Sequence, residues 1–196
     1  MEPLIYFAQQ IPSEFRKRPD DFSLKEAQKY YEWYMDILPQ RVAYLTQICA
    51  TEMNVAIEAF GDFPNCCKVL WEWFLQHATL QKTSEDERAQ MRARFGYLGE
   101  SWVLKERLSD FSELVLRDIG MFLGDSWVKH YPSLRWELIT GPKRYVHINR
   151  PHVVGFSSKD MFEPIHIARM QATKILRNEQ SPQGLFNILT YWLTLV

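Results

Sequence analysis

The stretch LRDIGMFLGDSWVKHYPSLRWEL, Leu116 to Leu138, carries the chain from an apolar helix into a strand and so puts both kinds of secondary structure side by side in one domain. Phe111, Val115, Ile119 and Phe122 recur at helical spacing, which predicts a helix from Ser109 to about His130. Pro132 stops it, since a proline ring lacks the N–H and clashes with the preceding turn. Leu134, Trp136 and Leu138 then alternate with Arg135, Glu137 and Ile139, the period of a strand. Inside the helix, Asp118 has Leu114, Val115, Met121 and Phe122 at offsets of three and four, so its carboxylate points toward packed side chains. A buried carboxylate needs a partner or takes up a proton. Arg135, Arg144, the Trp136 indole and the His147 imidazole are the candidate partners. The expected role of Asp118 is an anchor joining the helix to the ribbon that follows it, with a functional carboxylate as the alternative.

Working downstream, LRWELIT turns at Gly141 and Pro142, returns as RYVHIN, and is followed after Pro151 by HVVGF. This predicts a three-stranded antiparallel sheet over about residues 134–156. Gly120 and Gly124 lie one turn apart in a helix interior, where each costs about 1 kcal/mol relative to Ala. Close approach of another helix or of the hairpin would offset that cost, whereas a membrane dimer motif is disfavoured by the flanking Asp118 and Asp125. Two further helices are expected near residues 160–177 and 183–195.

Upstream, residues 1–22 read as irregular, with Pro3, Pro12 and Pro19. Ser23 and Glu26 have the spacing of a capping box, opening a helix whose stripe is Ala27, Tyr30, Tyr31, Tyr34 and Leu38. Pro39 is expected to break that helix or to open a second segment from Gln40 to Thr51. Pro64 would start a helix bearing Val69, Leu70, Trp73, Phe74 and His77. Thr83 and Ser84 would cap a solvated helix that Gly96 and Gly99 end. The expected class is α+β: a mostly helical single domain over residues 1–196 with one small sheet.

The charge balance excludes some partners. A net charge of -1 with both signs interspersed lacks the basic field that phosphate backbones require, so nucleic acid is not expected. No positive leader precedes an apolar run, and the charge-free stretch from Ser181 to Val196 is shorter than the roughly 20 residues that span a bilayer. A cytoplasmic protein without a membrane partner is the expectation. Cys49, Cys66 and Cys67 lack zinc-site spacing and read as reduced, buried thiols; a vicinal disulfide between Cys66 and Cys67 is geometrically demanding.

No complete catalytic constellation is visible. Asp118 and Asp125 share a helix face but stand roughly 10 Å apart along the axis, beyond the separations of about 5–9.5 Å of carboxylates that work across one glycosidic bond. Asp125 precedes Lys129 by four residues, the favourable order for a surface ion pair, and is read as structural. None of His77, His130, His147, His152 and His166 has metal-ligand spacing. A metal site of His147, His166 and a carboxylate would need the fold to assemble it, so satisfied or exposed histidines, with no metal and no cofactor, are expected. Asp118, Asp125, Trp136, His147 and Asn149 remain as structural or candidate site residues. An enzyme or small-ligand binder would require Asp118, Trp136, His147 and Asn149 to converge in a pocket beside the hairpin.

Three blocks, SLKEAQKYYEWYMDILPQRVAYL, VLRDIGMFLGDSWVKHYPSLRWEL and HINRPHVVGF, resemble a family of uncharacterised small bacterial proteins of about this length. The residues that carry the resemblance are Trp33 and Arg41; Asp118, Gly120, Phe122, Leu123, Gly124, Asp125 and Trp136; and Asn149, Pro151, Gly155 and Phe156. Asp125 stands where the pattern has Glu. Such families are similar to cytosolic proteins that neutralise a cognate toxin. The resemblance therefore implies a non-enzymatic, immunity-type role with a cognate toxin as protein partner, and supplies no catalytic residue; separately, the aromatic helix from Ser23 and the charge-free C-terminal helix offer surfaces for self-association.

Overall fold

The computed structural model describes residues 6–95, 97, 99, 103–158 and 160–196. Helix α1 spans Leu24–Glu52 and opens on the expected capping box: Ser23 Oγ accepts from Glu26 N, and Glu26 accepts from Ser23 N at 2.8 Å. It runs unbroken through Pro39, against the expected break. Pro39 faces solvent, where water can satisfy the carbonyl that its missing N–H leaves free, while buried Tyr34, Leu38, Arg41 and Leu45 hold both halves to one course.

Helix α2, Cys66–His77, buries Leu70, Trp71, Trp73 and Phe74, and all three cysteines are buried free thiols. Strand β1, Leu80–Lys82, pairs antiparallel with β2, Glu106–Leu108, around the exposed helix α3, Glu85–Phe95. Ser84 caps α3 reciprocally with Glu87. Gly96, one of its two expected stops, lies outside the described residues. These three-residue strands carry too little alternation to be read from sequence.

Helix α4, Asp110–His130, is the central rod, capped by Ser109 and buried continuously from Val115 to Gly124. The two glycines serve different neighbours. A Cβ on Gly120 would lie 2.8 Å from the backbone N and Cα of Ile165, and one on Gly124 would lie 2.1 Å from the Trp136 ring. Thus one glycine admits a helix and the other the ribbon, both of the close approaches anticipated.

The expected three-stranded sheet is instead a two-stranded ribbon of β3, Arg135–Ile139, and β4, Arg150–Val154, in antiparallel register with Trp136 opposite Val153. RYVHIN is not a strand. Tyr145 N donates to Pro142 O and Ile148 N to Tyr145 O in successive turns, and Asn149 takes a positive φ of 62°. Its alternation of Tyr145 and His147 with Val146 and Ile148 imitates a strand, but the turn residues at 141–142 coil the connection instead of reversing it. On its other edge β4 makes only the bridge Val153–Phe162.

Helix α5, Pro164–Ala172, follows and continues as a 3-10 turn over Thr173–Arg177. Helix α6, Gly184–Leu193, buries Leu185 and Leu189 and sets Trp192 against Phe156 and Phe162. The main core joins α2, α4 and α6. A second cluster of Phe15, Phe22, Tyr30, Tyr34 and Leu38 wraps the N-terminal segment onto α1 and Met121. Among the described residues, no helix is long and apolar enough to cross a membrane.

Candidate functional site

Asp118 is fully buried, but its partners come from the other end of the chain. Arg41 of α1 donates from Nη2 and Nε to Oδ2 at 2.6 and 3.2 Å, and the Tyr6 hydroxyl donates to the same oxygen at 2.7 Å. Arg41 Nη2 also reaches the Phe7 carbonyl at 3.0 Å. Burial, followed by the neighbouring carboxylate, raises the Tyr6 hydroxyl well above its usual range and keeps it a donor. The anchor therefore joins α4 to α1 and the N-terminal segment, not to the ribbon. Of the expected partners, Arg135 pairs with Glu137 at 2.9 Å on an exposed face, and His147 packs against His166 with the rings tilted by 43°.

A second guanidinium shares this carboxylate. Arg117 Nη2 lies 3.5 Å from Asp118 Oδ1 and donates to the Gln9 carbonyl; the side chain is 4% exposed, and among the described residues Nε and Nη1 have no hydrogen-bond partner. Two cations thus face one anion in the core. Arg117 lines a cleft of about 570 Å³ between the segment at residues 10–19, α4, β4 and the start of α5. Ile11, Phe15, Tyr30, Leu114 and Ile165 provide an apolar wall, while Arg16, Lys17, Arg18, Arg117, Arg150 and Arg169 outnumber Asp110, Glu113 and Glu163. Some of these charges are already engaged. Lys17 pairs with Glu26, Arg18 with Asp20, and Arg169 with Glu113 at 2.8 Å.

Glu163, 4% exposed, closes one end of the cleft. It is the N-cap of α5 and accepts from the backbone N–H of Ile165 at 3.2 Å and of His166 at 2.9 Å. Arg150 lies 3.7 Å away and is held by Asp20 at 3.2 Å. Burial pushes the Glu163 carboxyl up to about 6, against the pull of Arg150, Arg169 and the two amides. Behind it stand His147 and His166, with ring centroids 4.1 Å apart. Burial lowers both imidazoles, His166 to about 4, and the nearby cations add to the effect. The ligating atoms of His147, Glu163 and His166 all lie within 4.8 Å of one another, a convergence that no spacing in the sequence announces.

The other candidates have structural places. Asn149 Nδ2 donates to the carbonyls of Pro19 at 3.0 Å and Phe22 at 3.1 Å, pinning the segment that walls the cleft. Trp136 packs edge-on against Tyr34 above Gly124. Asp125 pairs with Lys129 at 2.7 Å, as its spacing predicts. Asp118, Trp136, His147 and Asn149 form no common set of hydrogen bonds; the cleft is built from Arg117, Arg150 and Glu163, none of which the sequence reading selected. Two signals were available. Arg41 interrupts the stripe between Leu38 and Leu45, and Glu163 precedes Pro164 in the pattern of a capped helix start.

The chain matches no family model, and comparison with curated proteins and with solved structures finds none that is similar.

Proposed function

We propose that this chain binds a small organic anion, a carboxylate or phosphate ester attached to an apolar or aromatic group, in the cleft floored by Arg117. The observation that carries the reading is the shared carboxylate: Arg41 and Arg117 are both buried, and Asp118 can neutralise only one of them. The surplus positive charge lies beneath the cleft, in a low-dielectric wall that transmits its field into the opening. Cations outnumber acids along the lining, and Phe15, Ile11 and Tyr30 offer the surface against which a hydrocarbon or ring would lie. The volume falls within the range of about 300–1,000 Å³ common to small-molecule sites.

The test is thermal denaturation with phosphate, citrate and phenyl phosphate at matched ionic strength and with a chelator present. Phenyl phosphate should stabilise most and saturably, reaching about 2.7 kcal/mol at a hundredfold excess over its Kd. Arg16→Ala, an exposed change, should weaken the response without altering the baseline, and Arg117→Met should abolish it. Equal effects of all salts, or an unchanged response in both variants, would remove the reading. The question would then return to the protein partner that the family resemblance implies.

A further inference from the structure

We propose that His147, Glu163 and His166 form a binding site for a divalent transition-metal ion, next to the cleft that Glu163 lines. The inference does not depend on the anion reading, because the three side chains and their surroundings carry it alone.

Two nitrogens and one carboxylate oxygen are the ligand set of many mononuclear sites, and imidazole selects zinc, iron(II), cobalt or nickel over magnesium and calcium. The set comes from two places. His147 belongs to the coiled connection between β3 and β4, while Glu163 and His166 lie one helical turn apart at the start of α5. Their ligating atoms already lie within 4.8 Å of one another. Tetrahedral ligands about 2.0–2.1 Å from zinc stand about 3.4 Å apart, so closure requires a movement of about 1 Å. Both imidazoles are partly exposed.

Orientation and protonation also fit. Glu163 is fixed by two backbone amides, the outer-shell support that holds a ligating carboxylate. Its oxygens retain lone pairs beyond those two bonds. The imidazole centroids stand 4.1 Å apart, too close for both rings to be charged at once, so at least one offers a nitrogen lone pair without giving up a proton. His166 makes no side-chain hydrogen bond among the described residues. An opposing charge is also present: Arg150 Nη1 lies 3.5 Å from His147 Nδ1. The same nitrogen stands 3.7 Å from Glu163, so the incoming ion displaces both contacts of Nη1, while Arg150 keeps its pair with Asp20 through Nη2. Glu163 also lines the cleft, so an ion held there would stand beside the end of the anion cleft.

The test uses the full chain, stripped with a chelator and returned to a non-coordinating buffer, with cobalt(II) or zinc alone as probe. Cobalt should bind with one-to-one stoichiometry and develop a visible d–d absorption band, which zinc then displaces. His147→Ala and His166→Ala, checked for unchanged circular dichroism, should each weaken binding by at least about 100-fold. Glu163→Gln, whose amide oxygen can still accept one capping bond, should weaken it with the helix intact. Absence of stoichiometric binding would overturn the proposal. So would equal binding by a His147→Ala/His166→Ala double variant, which would place the ion elsewhere. Neither result bears on the anion reading, which is measured with the chelator present.

Discussion

Two buried carboxylates, Asp118 and Glu163, lie on either side of Arg117 and the cleft, and they have been given opposite surroundings. Asp118 is sealed: Arg41 and the Tyr6 hydroxyl converge on one oxygen, and no part of the side chain meets solvent. Glu163 is held mainly by two amides, has its nearest guanidinium nitrogen at 3.7 Å, and opens onto the cleft beside two neutral imidazoles. Close ionic pairing makes a buried carboxylate a structural bolt, and looser pairing beside an opening leaves it available to a ligand. The same logic separates the guanidiniums. Arg41 spends its donors on Asp118, Tyr6 and Phe7, while Arg117 keeps two buried nitrogens without partners among the described residues.

The largest expected effect breaks the sealed side. Asp118→Ala leaves Arg41 and Arg117 buried without a counter-charge and should cost about 3–5 kcal/mol in urea unfolding. Glu163→Gln should cost at most about 1 kcal/mol, because the amide oxygen can still cap α5. Equal losses would erase the distinction between the two sites.

Acid gives the next effect, on the ribbon of β3 and β4. His152 is fully buried, its Nδ1 facing the Arg150 carbonyl at 2.9 Å and its Nε2 the Tyr145 hydroxyl at 3.1 Å, an arrangement that the neutral ring satisfies. Burial lowers it to about 4, from 6.5 when exposed. Between those values the unfolded chain binds the extra proton, so the stabilisation is complete above pH 6.5 and is lost as pH falls toward 4. The loss should be roughly 3 kcal/mol, and His152→Gln should flatten that part of the stability–pH curve.

Gly120→Ala comes third. The added methyl meets the Ile165 backbone, which cannot rotate away, so a net loss of about 1–3 kcal/mol is expected despite the better helix propensity. Because this contact sets α5, and with it Glu163, against α4, the variant should also weaken anion protection. A stabilised variant would show that α5 can shift freely. The smallest effect is Lys129→Ala, which removes the exposed partner of the largely buried Asp125 carboxylate and should change stability by less than about 1 kcal/mol, placing Asp125 outside both carboxylate sites.

How much of this was legible differs by element. The capping box of α1, the span of α4, its arrest before Pro132 and the two close-packed glycines follow from local chemistry and were readable. The RYVHIN strand was not, because an alternating hexapeptide is consistent with either a strand or a coil; Asn149 settled it by reaching across to Pro19 and Phe22. The burial of Asp118 was readable from its neighbours at helical offsets. Its bond to Arg41 was not, since the pair is separated by 77 positions.

Local chemistry alone is enough to locate the helical segments, the caps of α1 and α3 and the one carboxylate that must lie inside, because each depends on residues within a few positions of one another. What that carboxylate binds, which strands pair, and that Arg117, Arg150, Glu163 and two histidines border the same region emerge only when the chain packs. Those are contacts between distant segments, and their partners are chosen by how α1, α4 and α5 pack.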